Sequence, residues 1–145
     1  MKKYWKIILL VVVLVGGIGL YFGMKEYNRG AADVSDKKTD VVIKAADLTK
    51  SYSEDEVKSD SLYLNKTISV SGVVNAVQKD EKGAYSIVLT GDCEMNNVTC
   101  QMDERHNSEA ENIAIGSSIT VKGTCTGAQT MLAIEAVLIR CAVDK

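Results

Sequence analysis

The sequence predicts a mainly β, α+β domain: a five-stranded barrel that carries an N-terminal helix and follows a single transmembrane helix. Residues 7–24 form an uncharged apolar run, and residues 44–62 repeat apolar or small residues at helical spacing. Five later runs alternate apolar and polar residues with a period of two. Runs of this kind, joined by short loops, favour a closed and mostly antiparallel sheet.

The apolar run at residues 7–24 is long enough to cross a membrane. As a helix it would rise about 27 Å, close to the thickness of the hydrocarbon core. It is longer than the apolar core of a cleavable signal peptide, and bulky Tyr21 and Phe22 lie at its end, where cleavage needs small residues. We therefore expect a retained anchor rather than a cleaved signal peptide.

The charges that flank this run predict its orientation. Three lysines occupy residues 1–6, whereas Lys25 and Arg29 follow the run with Glu26 between them. An excess of cations marks the cytoplasmic side of a membrane helix. We expect residues 1–6 in the cytoplasm and the C-terminal domain outside it.

The remaining chain divides into a tether and one small domain. Residues 25–40 are polar and lack apolar periodicity, which is typical of a solvated tether. Residues 41–145 have the length of one domain. They contain ten Lys/Arg against fifteen Asp/Glu, so the predicted domain carries about −5, and their aromatic residues are three tyrosines.

The domain begins with an amphipathic helix over residues 44–62, which we expect to break near Ser53 and Glu54. A polar helical stretch is predicted for residues 104–114. Turns are predicted at 80–83, 91–92 and 127–130. The five predicted strands occupy residues 66–79, 83–90, 98–103, 118–124 and 131–143. Helix, three strands, short helix and two strands is the order of an OB-fold with an extra N-terminal helix.

Several segments resemble the tRNA_anti-like family of bacterial envelope proteins. The resemblance runs from the membrane edge to the C-terminus, and its segments are residues 27–28, 46–48, 63–73, 98–102, 116–127 and 138–141. It implies an OB-fold in the envelope of a bacterium. The resemblance implies no catalytic residues.

The domain contains four cysteines, Cys93, Cys100, Cys125 and Cys141. An even set outside the cytoplasm predicts disulfides. Strand parity places Cys100 and Cys125 on the inward face, and Cys93 with Cys141 is sterically plausible. The rival pairing is Cys93–Cys100 with Cys125–Cys141, and buried free thiols are the other alternative. The cysteine spacing lacks the short gaps typical of zinc or redox sites.

The sequence contains a single histidine, His106, in the polar helical stretch. We expect it to face solvent. Since neither a nucleophile elbow nor a Gly-rich phosphate loop is present, we expect no enzymatic activity and no cofactor or metal.

These observations predict a non-catalytic binding or scaffolding module. A protein, peptide or small ligand would bind at the barrel face, where OB-folds present an exposed strand surface. Nucleic acid is the alternative, but it needs a positive groove and aromatic platforms. The lysines that would have to form such a patch are Lys66, Lys79, Lys82 and Lys122.

A second alternative is cofactor handling, by similarity to the membrane-anchored OB-fold haem chaperone. That family attaches haem through a histidine near its C-terminus. Residues 139–145 of this chain contain no histidine, which argues against this function.

Overall fold

The computed structural model describes residues 2–27 and 33–144, which fall into two units divided between Ala32 and Asp33. The first unit is helix α1, Lys2–Tyr27. Within it, Lys6–Met24 is the one described segment long and apolar enough to cross a membrane, by length and composition. Its large apolar side chains are exposed along the helix. The predicted helix is therefore confirmed.

The second unit contains six strands and a closed barrel. The strands are β1 (Val41–Lys44), β2 (Thr67–Lys79), β3 (Tyr85–Thr90), β4 (Asn97–Met102), β5 (Ser118–Gln129) and β6 (Glu135–Asp144). Within residues 33–144, five of them pair in the cyclic order β2-β3-β4-β6-β5, and β5 returns to β2. Pairings are antiparallel except for β4 with β6, which are parallel. This order confirms the predicted OB-fold.

Helices cover the ends of this barrel and connect its strands. The helix predicted for residues 44–62 is formed by two helices, α2 (Ala45–Glu54) and α3 (Glu56–Tyr63). They are separated at Asp55, whose side chain accepts a hydrogen bond from the Lys58 backbone N–H at 3.0 Å. This N-cap explains why a new helix starts there. A 3-10 turn (Glu104–His106) and helix α4 (Asn107–Glu111) join β4 to β5.

The core lies inside the barrel, and the inward-facing side chains of each strand fill it. Apolar residues that share one parity in each strand are fully buried, among them Ile68, Val70, Ile87, Leu89, Val98, Val121 and Leu138. Leu48 and Tyr52 of α2 join the same cluster. The second unit therefore has a hydrophobic core of its own.

The folded unit starts earlier than the sequence suggested. Strand β1, which the sequence analysis did not predict, pairs in parallel with residues 68–71 of β2. Residues 33–40, which we call the strap, also contact the barrel: Val34 is buried, and Asp40 exchanges hydrogen bonds with the Thr67 backbone. The predicted tether of residues 25–40 is therefore shorter. Its residues 25–27 belong to α1, and 28–32 lie outside the described residues.

Residues 127–130, which were predicted to form a turn, lie mostly in strand β5 beside a bulge. Strand β5 continues to Gln129, and its register with β6 shifts between Cys125 and Ala128. Gly127 has a φ of +101°, a conformation that glycine adopts without steric cost. The chain turns later, over residues 130–134, which we call the β5–β6 loop.

Candidate functional site

A groove of about 450 Å³ crosses the outer face of the barrel. Its floor is made by outward-facing residues of all five barrel strands, and its ends by two loops. The lining residues are Gln78, Val88, Met95, Asn97, Thr99, Gln129, Met131, Leu132, Ala133 and Glu135. Because inward and outward residues alternate along each strand, the residues that fill the core leave the intervening ones for this surface.

The apolar side chains at the ends of the groove are unusually exposed. Met131 and Leu132 of the β5–β6 loop expose 93% and 94% of their surface, and Met95 exposes 65%. Methionine is flexible and polarizable, so it adapts to partners of varied shape. Exposed apolar residues gathered around one concavity are typical of an interaction site rather than of solvated surface.

Polar groups in the floor are uncharged except for one carboxylate. Glu135 pairs in register with Asn97 of β4 and Gln129 of β5, so its cross-strand neighbours are both amides. The Thr99 hydroxyl donates a hydrogen bond to Glu135 Oε1 at 2.7 Å. The groove therefore offers amide and hydroxyl hydrogen-bonding groups, with a single negative charge.

A partly buried hydrogen-bond network fixes the two loops relative to each other. The Asn96 amide donates to the Asp92 carboxylate at 2.7 Å, and its oxygen accepts from the Ile134 backbone N–H at 2.8 Å. Thr49 of α2 donates to Asp92 at 2.9 Å and accepts from the Asp92 N–H at 3.0 Å. The hydrogen bond from Asn96 is the largest effect lowering the pKa of Asp92. The network thus fixes Asn96, which follows Met95, and Ile134, the last residue of the β5–β6 loop.

Gly91 allows this close approach. A Cβ at position 91 would lie 2.5 Å from the Asn96 carbonyl oxygen and 2.7 Å from Thr49 Oγ1. The Gly91 N–H donates to that same carbonyl at 2.7 Å. The sequence predicts only a turn at this glycine, because its packing role depends on contacts that sequence spacing does not reveal.

The four cysteines are free thiols, so the predicted disulfide framework is not supported. Cys100 and Cys125 do share the barrel interior, as strand parity predicted. However, both are in register with Leu138 of the intervening strand β6, which places them two strand spacings apart. Two spacings are about 9.5 Å, beyond the reach of a disulfide.

The other predicted pairings are likewise not formed. Cys125 lies opposite Leu138, three residues from Cys141 along β6. Cys93 is exposed in the loop before β4, and the cross-strand partner of Cys100 is Ile87. Burial, followed by a hydrogen bond to the Cys100 thiol, raises the pKa of Cys141 well above its ordinary value. These buried thiols act as small apolar side chains.

His106 does not face solvent as predicted, because two carboxylates enclose it. Its side chain is 16% exposed, and its Nε2 lies 2.9 Å from both oxygens of Asp33 in the strap. Its Nδ1 lies 3.3 Å from Glu109 Oε1 in α4. Burial alone would lower the pKa of His106, but these two carboxylates raise it above 6.5.

Arg105 completes this charged cluster beside His106. Its guanidinium binds Asp103 through two hydrogen bonds of 2.8 and 2.7 Å, which lower the pKa of Asp103 to about 2. Its Nη1 also lies 3.9 Å from Asp33. The cluster joins the strap to the barrel, and it lies among residues that do not line the groove.

The four lysines of the predicted basic patch do not form one surface. Lys66 immediately precedes β2, and Lys79 is its last residue. Lys79 rests over the Tyr85 ring at 5.0 Å, and the Lys122 amine donates to the carbonyls of Ser35 and Lys37 in the strap. Within residues 2–27 and 33–144, no His, Cys, Asp and Glu side chains form a group of three suited to a metal ion.

Comparison with known proteins identifies a family for nearly the whole chain. A family model described as tRNA_anti-like matches residues 1–143, which confirms the resemblance seen in the sequence. The sequence matches no curated protein significantly.

A solved structure shares the fold. A crystal structure of a "putative nucleic acid-binding lipoprotein" from Klebsiella pneumoniae superposes with a TM-score of 0.58 at 20% identity, over 80% of this chain and 98% of that one. A "putative aspartyl-tRNA synthetase" from Leishmania major gives a TM-score of 0.46 at 15% identity, over 75% and 22%. The Klebsiella structure has a related architecture. At this low sequence identity, the likeness shows the fold alone.

Proposed function

This chain belongs to the tRNA_anti-like family, and on that premise we propose that it is a non-catalytic binding module anchored in a bacterial cytoplasmic membrane. Its OB-fold unit lies outside the cytoplasm and binds an extended, largely apolar segment of a partner protein in the groove. The lining of the groove carries this proposal, since it combines exposed Met95, Met131 and Leu132 with hydrogen-bonding amides.

The chemistry of this lining favours a peptide over a nucleic acid. Single-stranded nucleic acid is bound by cations that offset its phosphates and by aromatic rings that stack its bases. The residues lining the groove include no Lys, Arg or aromatic side chain, and their one charge is the carboxylate of Glu135. An extended peptide instead uses apolar pockets for its side chains and polar groups for its backbone.

Membrane anchoring rests on α1. Its segment Lys6–Met24 has the length and hydropathy of a spanning helix, and its apolar side chains are exposed. An exposed apolar helix of this size is stable when lipid surrounds it. Anchoring would concentrate the binding module at the membrane surface, where its partner would also be found.

The experiment that tests this function uses the full chain in lipid nanodiscs. A random dodecapeptide phage library is selected on it, and the enriched peptides are measured against the Met131→Ser/Leu132→Ser double variant. We expect apolar peptides to be enriched and the double variant to bind them about ten-fold or more weakly, because two apolar contacts are lost.

The matched control is Val57→Ser, which removes an apolar side chain that is 81% exposed on α3 and does not line the groove. We expect this variant to bind as the unchanged protein does. A fluorescent fifteen-nucleotide oligothymidylate is measured in parallel. Micromolar or tighter binding of that oligonucleotide, with a steep salt dependence, would overturn the proposal in favour of nucleic acid. Failure to enrich any peptide would overturn it too.

A further inference from the structure

One charged side chain lines an otherwise uncharged groove, and it points to the kind of partner that fits. Building on the proposed function, we infer that the groove prefers a protein segment with a lysine or arginine beside its apolar residues. Glu135 is the residue that determines this preference.

Glu135 is held in the lining of the groove by its neighbours. It is the first residue of β6, where Asn97 of β4 and Gln129 of β5 are its register partners. The Thr99 hydroxyl bonds to Oε1 at 2.7 Å, which orients the carboxylate. Since these neighbours are neutral, the Glu135 charge is not offset within the groove.

Some other acids of the second unit do have cationic partners. Asp33 and Asp103 are paired with His106 and Arg105. Among the described residues, no cation forms an ion pair with Glu135, and its Oε2 makes no hydrogen bond. A carboxylate left without a cation on an interaction surface is complemented by a cation of the partner, because charge complementarity governs specificity and the rate of encounter.

The charge of the whole predicted domain acts in the same direction. Residues 41–145 carry ten cations against fifteen acids, so a basic segment is attracted from a distance. A phosphorylated or acidic segment would instead approach a negative surface and find no cation in the groove. The preference for a basic partner therefore follows from both the local and the overall charge.

The test compares the full chain with its Glu135→Gln variant, both in nanodiscs and both selected against the same random dodecapeptide phage library. We expect the unchanged protein to enrich peptides that carry Lys or Arg next to apolar residues. The variant should still enrich apolar peptides but lose the preference for cations, since glutamine keeps the size of the side chain and removes its charge. Glu54→Gln, the same charge change on α2 away from the groove, is the control and should retain the preference.

A double-mutant cycle then isolates the contact. The strongest basic peptide and its lysine-to-norleucine analogue are measured against the unchanged protein and Glu135→Gln. We expect norleucine to weaken binding roughly three- to ten-fold for the unchanged protein and to have little effect for the variant. Raising the salt concentration should reduce the difference.

The outcomes separate this inference from the function on which it rests. Apolar peptides enriched without any basic preference, or a basic preference that survives Glu135→Gln, would overturn the role of Glu135 and leave the binding function standing. Absence of any enriched peptide would overturn both.

Discussion

At the residue scale, the barrel interior has no spare volume beside Gly123. This buried glycine of β5 faces Cys141 of β6, and a Cβ at position 123 would lie 2.5 Å from the Cys141 sulfur. The same Cβ would be 3.3 Å from the Ile139 carbonyl oxygen and from Leu138 Cβ. Cys141 is thus a packing residue whose sulfur occupies the space that Gly123 leaves open.

This packing predicts size complementation between the two positions. Gly123→Ala should destabilise residues 33–145 by about 1–3 kcal/mol, because interiors tolerate added volume poorly. Cys141→Ala removes the obstructing sulfur, so the double variant should be more stable than the sum of the single changes predicts, by roughly 1 kcal/mol. Urea unfolding followed by far-UV circular dichroism measures these free energies.

Cys125→Ala supplies the matched control for that cycle. Cys125 is also a buried thiol of the barrel, but it is not among the atoms closest to a Cβ at position 123. The loss of stability caused by Cys125→Ala should simply add to that caused by Gly123→Ala. Additive free energies for the Cys141 pair would show that the sulfur is not the obstruction.

The inward position of Cys100 and Cys125 could be predicted from the sequence, because strand parity depends on local alternation. Their lack of a disulfide could not, because it depends on Leu138 lying between them in register. Registers between strands that are distant in sequence arise from tertiary pairing and bulges. The burial of His106 could not be predicted either, because its partner Asp33 lies 73 residues away in the sequence.

At the element scale, the strap is held to the barrel by charge as well as by packing. Asp33 contacts His106 and Arg105, and the Lys122 amine donates to strap carbonyls. His106 also faces Glu109, whose second oxygen accepts from the Val143 backbone N–H at 2.9 Å. Protonated His106 therefore links the strap to α4, and Glu109 links α4 to β6.

The raised pKa of His106 gives this link a defined pH dependence. Its contribution to stability is complete below the unfolded value near 6.5 and is lost as pH rises through the higher folded value. The stability difference between the unchanged unit and His106→Gln should therefore be largest near pH 5.5, at roughly 0.5–1 kcal/mol, and smaller at pH 9. Urea unfolding of residues 33–145 at the two pH values measures it.

A direct titration provides the control for this prediction. Because the sequence contains one histidine, its NMR signal is unambiguous. Asp33→Asn should lower the pKa of His106, whereas Asp36→Asn, which removes an exposed strap carboxylate that does not contact the ring, should have a smaller effect. A stability difference unchanged between pH 5.5 and pH 9 would contradict the electrostatic link.

The five barrel strands were predictable because each has its own alternation of apolar and polar residues. The strap and β1 were not. Val34 is the only buried residue that the strap offers in a polar stretch, and the four residues of β1 are too few to show a period. The groove was predicted only as an unspecified barrel face, since its lining comes from five strands and two loops that the sequence keeps far apart.

At the scale of the whole molecule, the chain joins an apolar helix to a unit that has its own core. Residues 6–24 contain a single charge, at Lys6, whereas the second unit buries its apolar residues inside the barrel. These two parts suit two different solvents. The proposed retention of α1 and export of the second unit can both be tested through one exposed thiol.

Cys93 is the exposed cysteine, and Cys100, Cys125 and Cys141 are buried. In spheroplasts of a bacterium that expresses the full chain, a membrane-impermeant maleimide should label Cys93 without lysis, and Cys93→Ser should abolish the labelling. The labelled protein should stay in the membrane after carbonate extraction and keep the mass of the uncleaved chain, because α1 crosses the bilayer. Labelling only after lysis would place the unit inside the cytoplasm. A shorter, freely released protein would identify α1 as a cleaved signal, and the groove would then act in solution rather than at a membrane.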